Sequence, residues 1–162
     1  LIQDGNCELP SGTLSDSAWE IEGTLPTLTA KAHTGDWALL MQGPGSGWVS
    51  QKLTSPEDLE SETLTLSWMV LISEGTVTTQ DELTVEAEVD GSTQRVVISL
   101  TDMTVGQWTH GYLDVSVGSG QPVTVSWRLD ADSGVSLVLD ELSLGETRVG
   151  ADYVYLPLVV RN

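Results

Sequence analysis

Apolar and polar residues alternate over much of this chain, and that period of two constrains its fold more than any other feature. From Thr63 to Ile72 the residues Leu64, Leu66, Trp68, Val70 and Ile72 share one face. From Asp81 to Asp90 the apolar face is Leu83, Val85, Ala87 and Val89, and the opposite face is Glu82, Thr84, Glu86 and Glu88. Such runs predict antiparallel strands with one face in a core and the other, here rich in carboxylates, in water. Similar runs cover Trp37 to Gln42, Trp48 to Leu53, Gln94 to Leu100, Trp108 to Val115, Pro122 to Leu129 and Val135 to Leu144. Turn residues separate them at Gly43-Pro44-Gly45-Ser46-Gly47, Asp90-Gly91-Ser92, Gly118-Ser119-Gly120 and Asp132-Ser133-Gly134.

Many short strands punctuated in this way predict an all-β protein, a two-sheet antiparallel β-sandwich of jelly-roll topology. Helix is nearly absent. The segment Ser55 to Glu60 predicts a single turn, with Ser55 as N-cap and Pro56 at the first helical position. The 162 residues suit one domain with a core of its own. The strand pattern runs over residues 1–145, a polar spacer follows at 146–152, and an apolar strand or tail closes the chain at 153–162.

Six Lys and Arg stand against 24 Asp and Glu, a net charge of −18, which repels phosphate backbones and excludes nucleic acid as a partner. No run of about 18 apolar residues offers a membrane-spanning helix. The single cysteine, Cys7, has no intramolecular disulfide partner and reads as a small core residue. Scarce lysine and a surface rich in Ser, Thr and Gly fit a secreted or cell-surface protein. No charged-then-apolar leader precedes Leu1, so export implies a signal peptide already removed.

Three segments in order, Gln3-Asp4-Gly5-Asn6-Cys7-Glu8, Ala32-His33-Thr34-Gly35-Asp36-Trp37-Ala38-Leu39 and Leu139-Asp140-Glu141-Leu142-Ser143-Leu144, resemble carbohydrate-binding-module-like jelly rolls with a galactose-binding-like fold. The resemblance implies a structural calcium site, with side-chain oxygens from Glu8 and Asp140 and main-chain carbonyls near Lys31 or Asp36. It departs from the family pattern where Cys7 replaces a Phe and Asp4 an Asn. Calcium suits such a set, since it accepts carbonyls beside carboxylates. The alternative on the residues alone is that Glu8 and Asp140 accept hydrogen bonds from turn amides without a metal.

Sugar binding calls for exposed aromatic faces rimmed by polar groups. Trp108, His110 and Tyr112 fall on one face if Thr109, Gly111, Leu113 and Val115 take the other, and Trp48 follows a Gly-rich turn at a loop rim. The chain has no Phe, so Trp must also fill large core positions, and Trp68 and Trp127 alternate with aliphatics as core residues do. Nothing points to catalysis. His33 and His110 are the only histidines and lie in no metal-binding spacing, and the Gly-x-Ser-x-Gly-like loop at 43–47 joins two strands rather than a strand and a helix.

The closing segment is apolar on both faces: Val154, Leu156, Leu158 and Val160 on one, Tyr153, Tyr155, Pro157 and Val159 on the other. It resembles the Tyr-Leu-Pro-Leu-Val-type tail of secreted proteins of filamentous green non-sulfur bacteria. A two-faced apolar strand predicts burial in its own fold or against a neighbour's sheet, and head-to-tail strand addition builds a filament. Two functional expectations follow. The first is a non-catalytic secreted subunit that self-associates through residues 153–160 into an extracellular filament or cell-surface assembly. The alternative is a calcium-stabilised carbohydrate-binding module whose partner is an extracellular polysaccharide.

Overall fold

A computed structural model describes residues 1–3, 5–8, 18–23, 26–59 and 62–145. The spacer at 146–152 and the apolar strand expected at 153–162 therefore lie outside the described residues. The described residues form ten strands: β1 Glu20–Gly23, β2 Thr27–Thr29, β3 Ala38–Gln42, β4 Gly45–Thr54, β5 Thr63–Glu74, β6 Glu82–Val89, β7 Ser92–Ser99, β8 Trp108–Ser116, β9 Pro122–Ala131 and β10 Ser136–Gly145. They make two five-stranded antiparallel sheets, in the orders β1-β4-β9-β6-β7 and β2-β3-β10-β5-β8. The all-β sandwich expected from the period of two is the fold observed.

The alternation assigns the faces. Leu83, Val85 and Ala87 on β6 and Val123, Val125, Trp127 and Leu129 on β9 are fully buried, and they meet Leu64, Leu66, Trp68, Val70 and Ile72 on β5 in one core. Trp68 and Trp127, from opposite sheets, meet edge to face with ring centroids 6.4 Å apart. Trp19 adds a second edge-to-face contact on Trp127, at 5.8 Å. Lacking Phe, the chain uses indoles for volume, and among the described residues no acceptor reaches the Nε1 of Trp68 or Trp127. Cys7 is buried in the same core, as expected.

Strands β1 and β2 carried no clear period and escape the sequence reading. They form because a neighbouring edge supplies their partners, Ser50 to Gly47 for β1 and Leu40 to Ala38 for β2. The helical turn expected at Ser55 is a correction. Its hydroxyl donates to the Gly118 carbonyl at 2.6 Å and accepts from the Gln121 amide at 2.9 Å, tying the end of β4 to the β8–β9 turn. Those partners lie more than sixty residues away, and they outcompete a local cap. Among the described residues a 3-10 turn forms at Leu100–Asp102 instead.

Candidate functional site

Two outer faces flank the core, and they differ in kind. On the second sheet the segment before β3 folds back over the surface. Asp140, fully buried on β10, accepts the His33 amide at 2.8 Å and the Thr34 amide at 3.0 Å on Oδ2, and the Glu141 amide at 2.7 Å on Oδ1. Glu8 holds the other end of the same segment, its Oε1 accepting the amides of Asp36 at 2.6 Å and Trp37 at 2.8 Å. Gly35 makes the turn between them. Its φ of +71° is one that side chains rarely adopt, and a Cβ there would collide with the Glu8 carboxylate. Asp140 stands where β10 slips register against β5, and Glu141 at that bulge has φ +51°.

Calcium is the metal the resemblance implies at this clamp. The donors are of the right kind, hard carboxylate oxygens, and their use by the protein leaves room. A carboxylate has about four lone-pair sites. Asp140 spends three of them on amides, and among the described residues no donor reaches Glu8 Oε2. No group of three or more His, Cys, Asp or Glu gathers among the described residues, so main-chain carbonyls would have to supply the rest of a shell. Asp36 lies in the clamped segment and Lys31 two residues before it; the Lys31 ammonium donates to the Ser73 carbonyl at 3.3 Å.

The aromatic candidates divide between the faces. Trp108, His110 and Tyr112 all point outward from β8, opposite Leu71, Met69 and Ser67 of β5. Trp108 is spent on packing: it lies against the small buried cluster of Ala38, Leu71 and Val138 and meets the His33 ring edge to face at 5.2 Å. His33 Nδ1 lies 3.1 Å from Glu141. His110 stacks on Tyr112, with planes 25° apart and centroids at 6.4 Å. Burial pushes the His110 pKa below its ordinary value, and the Glu141 charge opposes that shift in part. Sequence reasoning did not foresee that Glu141 would gather both histidines, because their juxtaposition depends on the bulge.

Trp48, expected at a loop rim, lies instead within β4 of the first sheet, because Gly45, Ser46 and Gly47 pair with Ala131, Asp130 and Leu129 of β9 as strand rather than turn. Cross-strand register aligns Glu22, Trp48, Arg128, Thr84 and Val97 in one row, and Glu20, Ser50, Ser126, Glu86 and Arg95 in the next. Trp48 is half-buried and is the one aromatic among the described outward positions of this sheet. Arg128, its neighbour in the row, is aimed by three contacts: Nε to Asp130 Oδ2 at 2.8 Å, Nη2 to Asp130 Oδ1 at 2.9 Å, and Nε to Ser46 Oγ at 3.2 Å. A forked pair in this geometry fixes the guanidinium plane even where exposure makes it worth little as stability. Thr84, Ser126, Glu82 and Glu86 supply hydroxyls and carboxylates around it.

No family model and no curated protein sequence matches the chain. Solved structures do. A family 61 carbohydrate-binding module, solved in complex with β-1,4-galactotriose, matches with a TM-score of 0.69 at 14% identity, over 90% of this chain and 97% of its own. A C-terminal family 22 carbohydrate-binding module of Clostridium thermocellum matches with a TM-score of 0.57 at 15% identity, over 90% and 97%. A family 4 module gives 0.57 at 11% identity, over 91% and 100%. At such identities the likeness is one of fold: this chain has the β-sandwich of carbohydrate-binding modules.

Proposed function

We propose that the protein is a non-catalytic carbohydrate-binding module that seats an uncharged glycan across the outer face of the first sheet. The observation that carries the reading is the register of Trp48 with Arg128 on a face where the exposed Val97 and the cations Lys52 and Arg95 stand among hydroxyls and carboxylates. An indole offers a flat apolar surface to the C–H face of a pyranose, and an oriented guanidinium and carboxylates meet its hydroxyls. Charge selects the ligand class. Lys52 is paired with Glu20, Arg128 with Asp130, and Arg95 stands opposite Glu86, while Glu22, Glu82 and Glu88 add further negative charge to the same face. A uronic-acid polymer meets repulsion there that a neutral one does not.

The fold neighbours favour a glycan over a second copy of the chain as the partner, and an extracellular location goes with that reading. Calcium belongs to it as a tie on the Glu8 and Asp140 clamp, on the opposite side of the molecule from Trp48. The test is isothermal titration with β-1,4-galactotriose and with xylohexaose, the ligands of two structural neighbours. Binding that falls at least about tenfold in Trp48→Ala, with an unchanged melting temperature, supports the site; tenfold corresponds to about 1.4 kcal/mol. Binding untouched by Trp48→Ala sinks it.

A further inference from the structure

We infer that the glycan on the first sheet runs across the strands, from Trp48 on β4 to Val97 on β7, so that the site takes an extended chain of four neutral pyranose residues. Direction, length and a second apolar contact are added to the site of Trp48, and all three rest on that site binding sugar at all.

Register gives the direction. Along β4 the outward positions offer a sugar little beyond Trp48: Ser46 accepts a hydrogen bond from Arg128, Ser50 is 1% exposed, and Lys52 is held by Glu20. Across the sheet, the row of Trp48 continues through Arg128 on β9 and Thr84 on β6 to Val97 on β7. Val97 is 45% exposed. Apart from Pro122 at the start of β9, Val97 and Trp48 are the two apolar side chains among the described outward positions of this sheet, and one row holds both.

Spacing gives the length. Neighbouring strands lie about 4.8 Å apart, so the three steps from Trp48 to Val97 cover about 14 Å. An extended β-1,4-linked chain advances by nearly the same step per pyranose, and it can set one ring over each of β4, β9, β6 and β7. The first ring then lies on the indole and the fourth on the Val97 isopropyl group, two apolar surfaces that suit C–H faces. The rings between them meet hydrogen-bonding groups, the Thr84 hydroxyl and the Arg128 guanidinium, whose Nη1 takes part in neither contact with Asp130. Glu22 continues the row beyond Trp48 with a carboxylate, which accepts sugar hydroxyls and repels an acidic chain end.

The experiment is isothermal titration of the intact protein with β-1,4-galacto-oligosaccharides and with xylo-oligosaccharides of two to six residues, comparing wild type, Trp48→Ala, Val97→Ser and Val97→Thr. In the series that binds, wild-type affinity should climb up to four residues and stay flat beyond, with the fourth residue worth at least about threefold. Both Val97 variants should lose that last gain and keep the affinity for three residues, while Trp48→Ala weakens every length. A plateau at two or three residues, or Val97 variants that keep the gain from the fourth, overturn the crossing chain and leave the Trp48 site standing. No binding in either series, or Trp48→Ala without effect at any length, removes the Trp48 reading and this one with it. Val97→Thr keeps the branched side chain that strands favour, so a loss shared by both Val97 variants, at an unchanged melting temperature, is one of contact and not of folding.

Discussion

Asp81 and Asp140 are both fully buried carboxylates, yet they hold the molecule together in different ways. Asp81 lies at one end of the sandwich, just before β6. Its Oδ2 accepts the Thr78 amide at 2.7 Å and the Ser133 hydroxyl at 2.6 Å, and its Oδ1 the amides of Asp132 at 2.9 Å and Ser133 at 3.2 Å. Its own carbonyl accepts the Leu100 amide at 2.9 Å. One residue thus closes three connections that leave β7, β9 and the turn before β6. Asp140 lies within β10 and holds a surface segment, with Glu8 sharing the load. A buried charge is tolerated in both places because N–H and O–H dipoles replace the water it gave up. What differs is redundancy: the Asp140 segment has a second anchor, and the Asp81 junction has none among the described side chains.

Asp81→Ala is therefore expected to do the most damage. It strands three partly buried amides and a hydroxyl, at about 3 kcal/mol of unfolding free energy in chemical denaturation. Asp140→Ala should cost less, about 2 kcal/mol, because Glu8 still grips the far end of the segment. An equal or larger loss for Asp140→Ala would reverse the comparison. Gly35→Ala sharpens it from the partner's side: a Cβ at φ +71° against the Glu8 carboxylate should cost about 1–2 kcal/mol, and the loss should shrink in a Glu8→Ala background.

Acid gives a third contrast. Burial alone would raise the pKa of Asp81, but the Ser133 hydroxyl and the amides of Thr78, Ser133 and Asp132 outweigh it and hold the carboxyl below its ordinary value. A group with a depressed folded-state pKa contributes stability that is whole above its unfolded value, about 3.9, and is lost as pH falls toward the folded value. Wild type should thus lose stability steeply below about pH 4, and Asp81→Asn should show a shallower acid limb from a lower plateau. His110 acts earlier and more weakly. Its pKa is also depressed, so the stability it contributes is whole above about 6.5 and drains as pH falls below that. His110→Gln should flatten that shallow segment and leave the Asp81 limb alone.

These two carboxylates also show what the sequence made legible. Asp140 was visible because a local pattern, Leu139-Asp140-Glu141-Leu142, resembles a known fold family, and Glu8 came with it. Asp81 carried no such signal. It opens a strand, as polar residues often do, and its partners at 132 and 133 lie about fifty positions away, where only the finished fold brings them. The same reason explains β1 and β2, whose order comes from an edge they join, and Ser55, whose neighbours looked like a helix start while its hydroxyl bonded to residues 118 and 121. Alternation placed Trp108, His110 and Tyr112 on one face without error, since the period is local. It gave no means of knowing that Trp48 lay on the other sheet, or that Trp108 would pack against Ala38, Leu71 and Val138.

The smallest expected effect concerns calcium, and it separates the two anchors most finely. Asp140 has one lone-pair site left after its three amides, and Glu8 has an oxygen that no described donor reaches. Nothing comparable remains at Asp81, whose two oxygens each accept two donors. Calcium that binds the folded state alone must raise the melting temperature with concentration, and the rise must vanish when its ligands are removed. The expected outcome is a rise of a few degrees in wild type between chelator and millimolar calcium, about 1 kcal/mol or less. The rise should be kept in Asp81→Asn and lost in both Glu8→Gln and Asp140→Asn. A rise that survives both clamp variants moves the ion elsewhere on this acidic surface. No rise in any variant makes the amides of His33, Thr34, Asp36 and Trp37 the whole of what these two carboxylates hold.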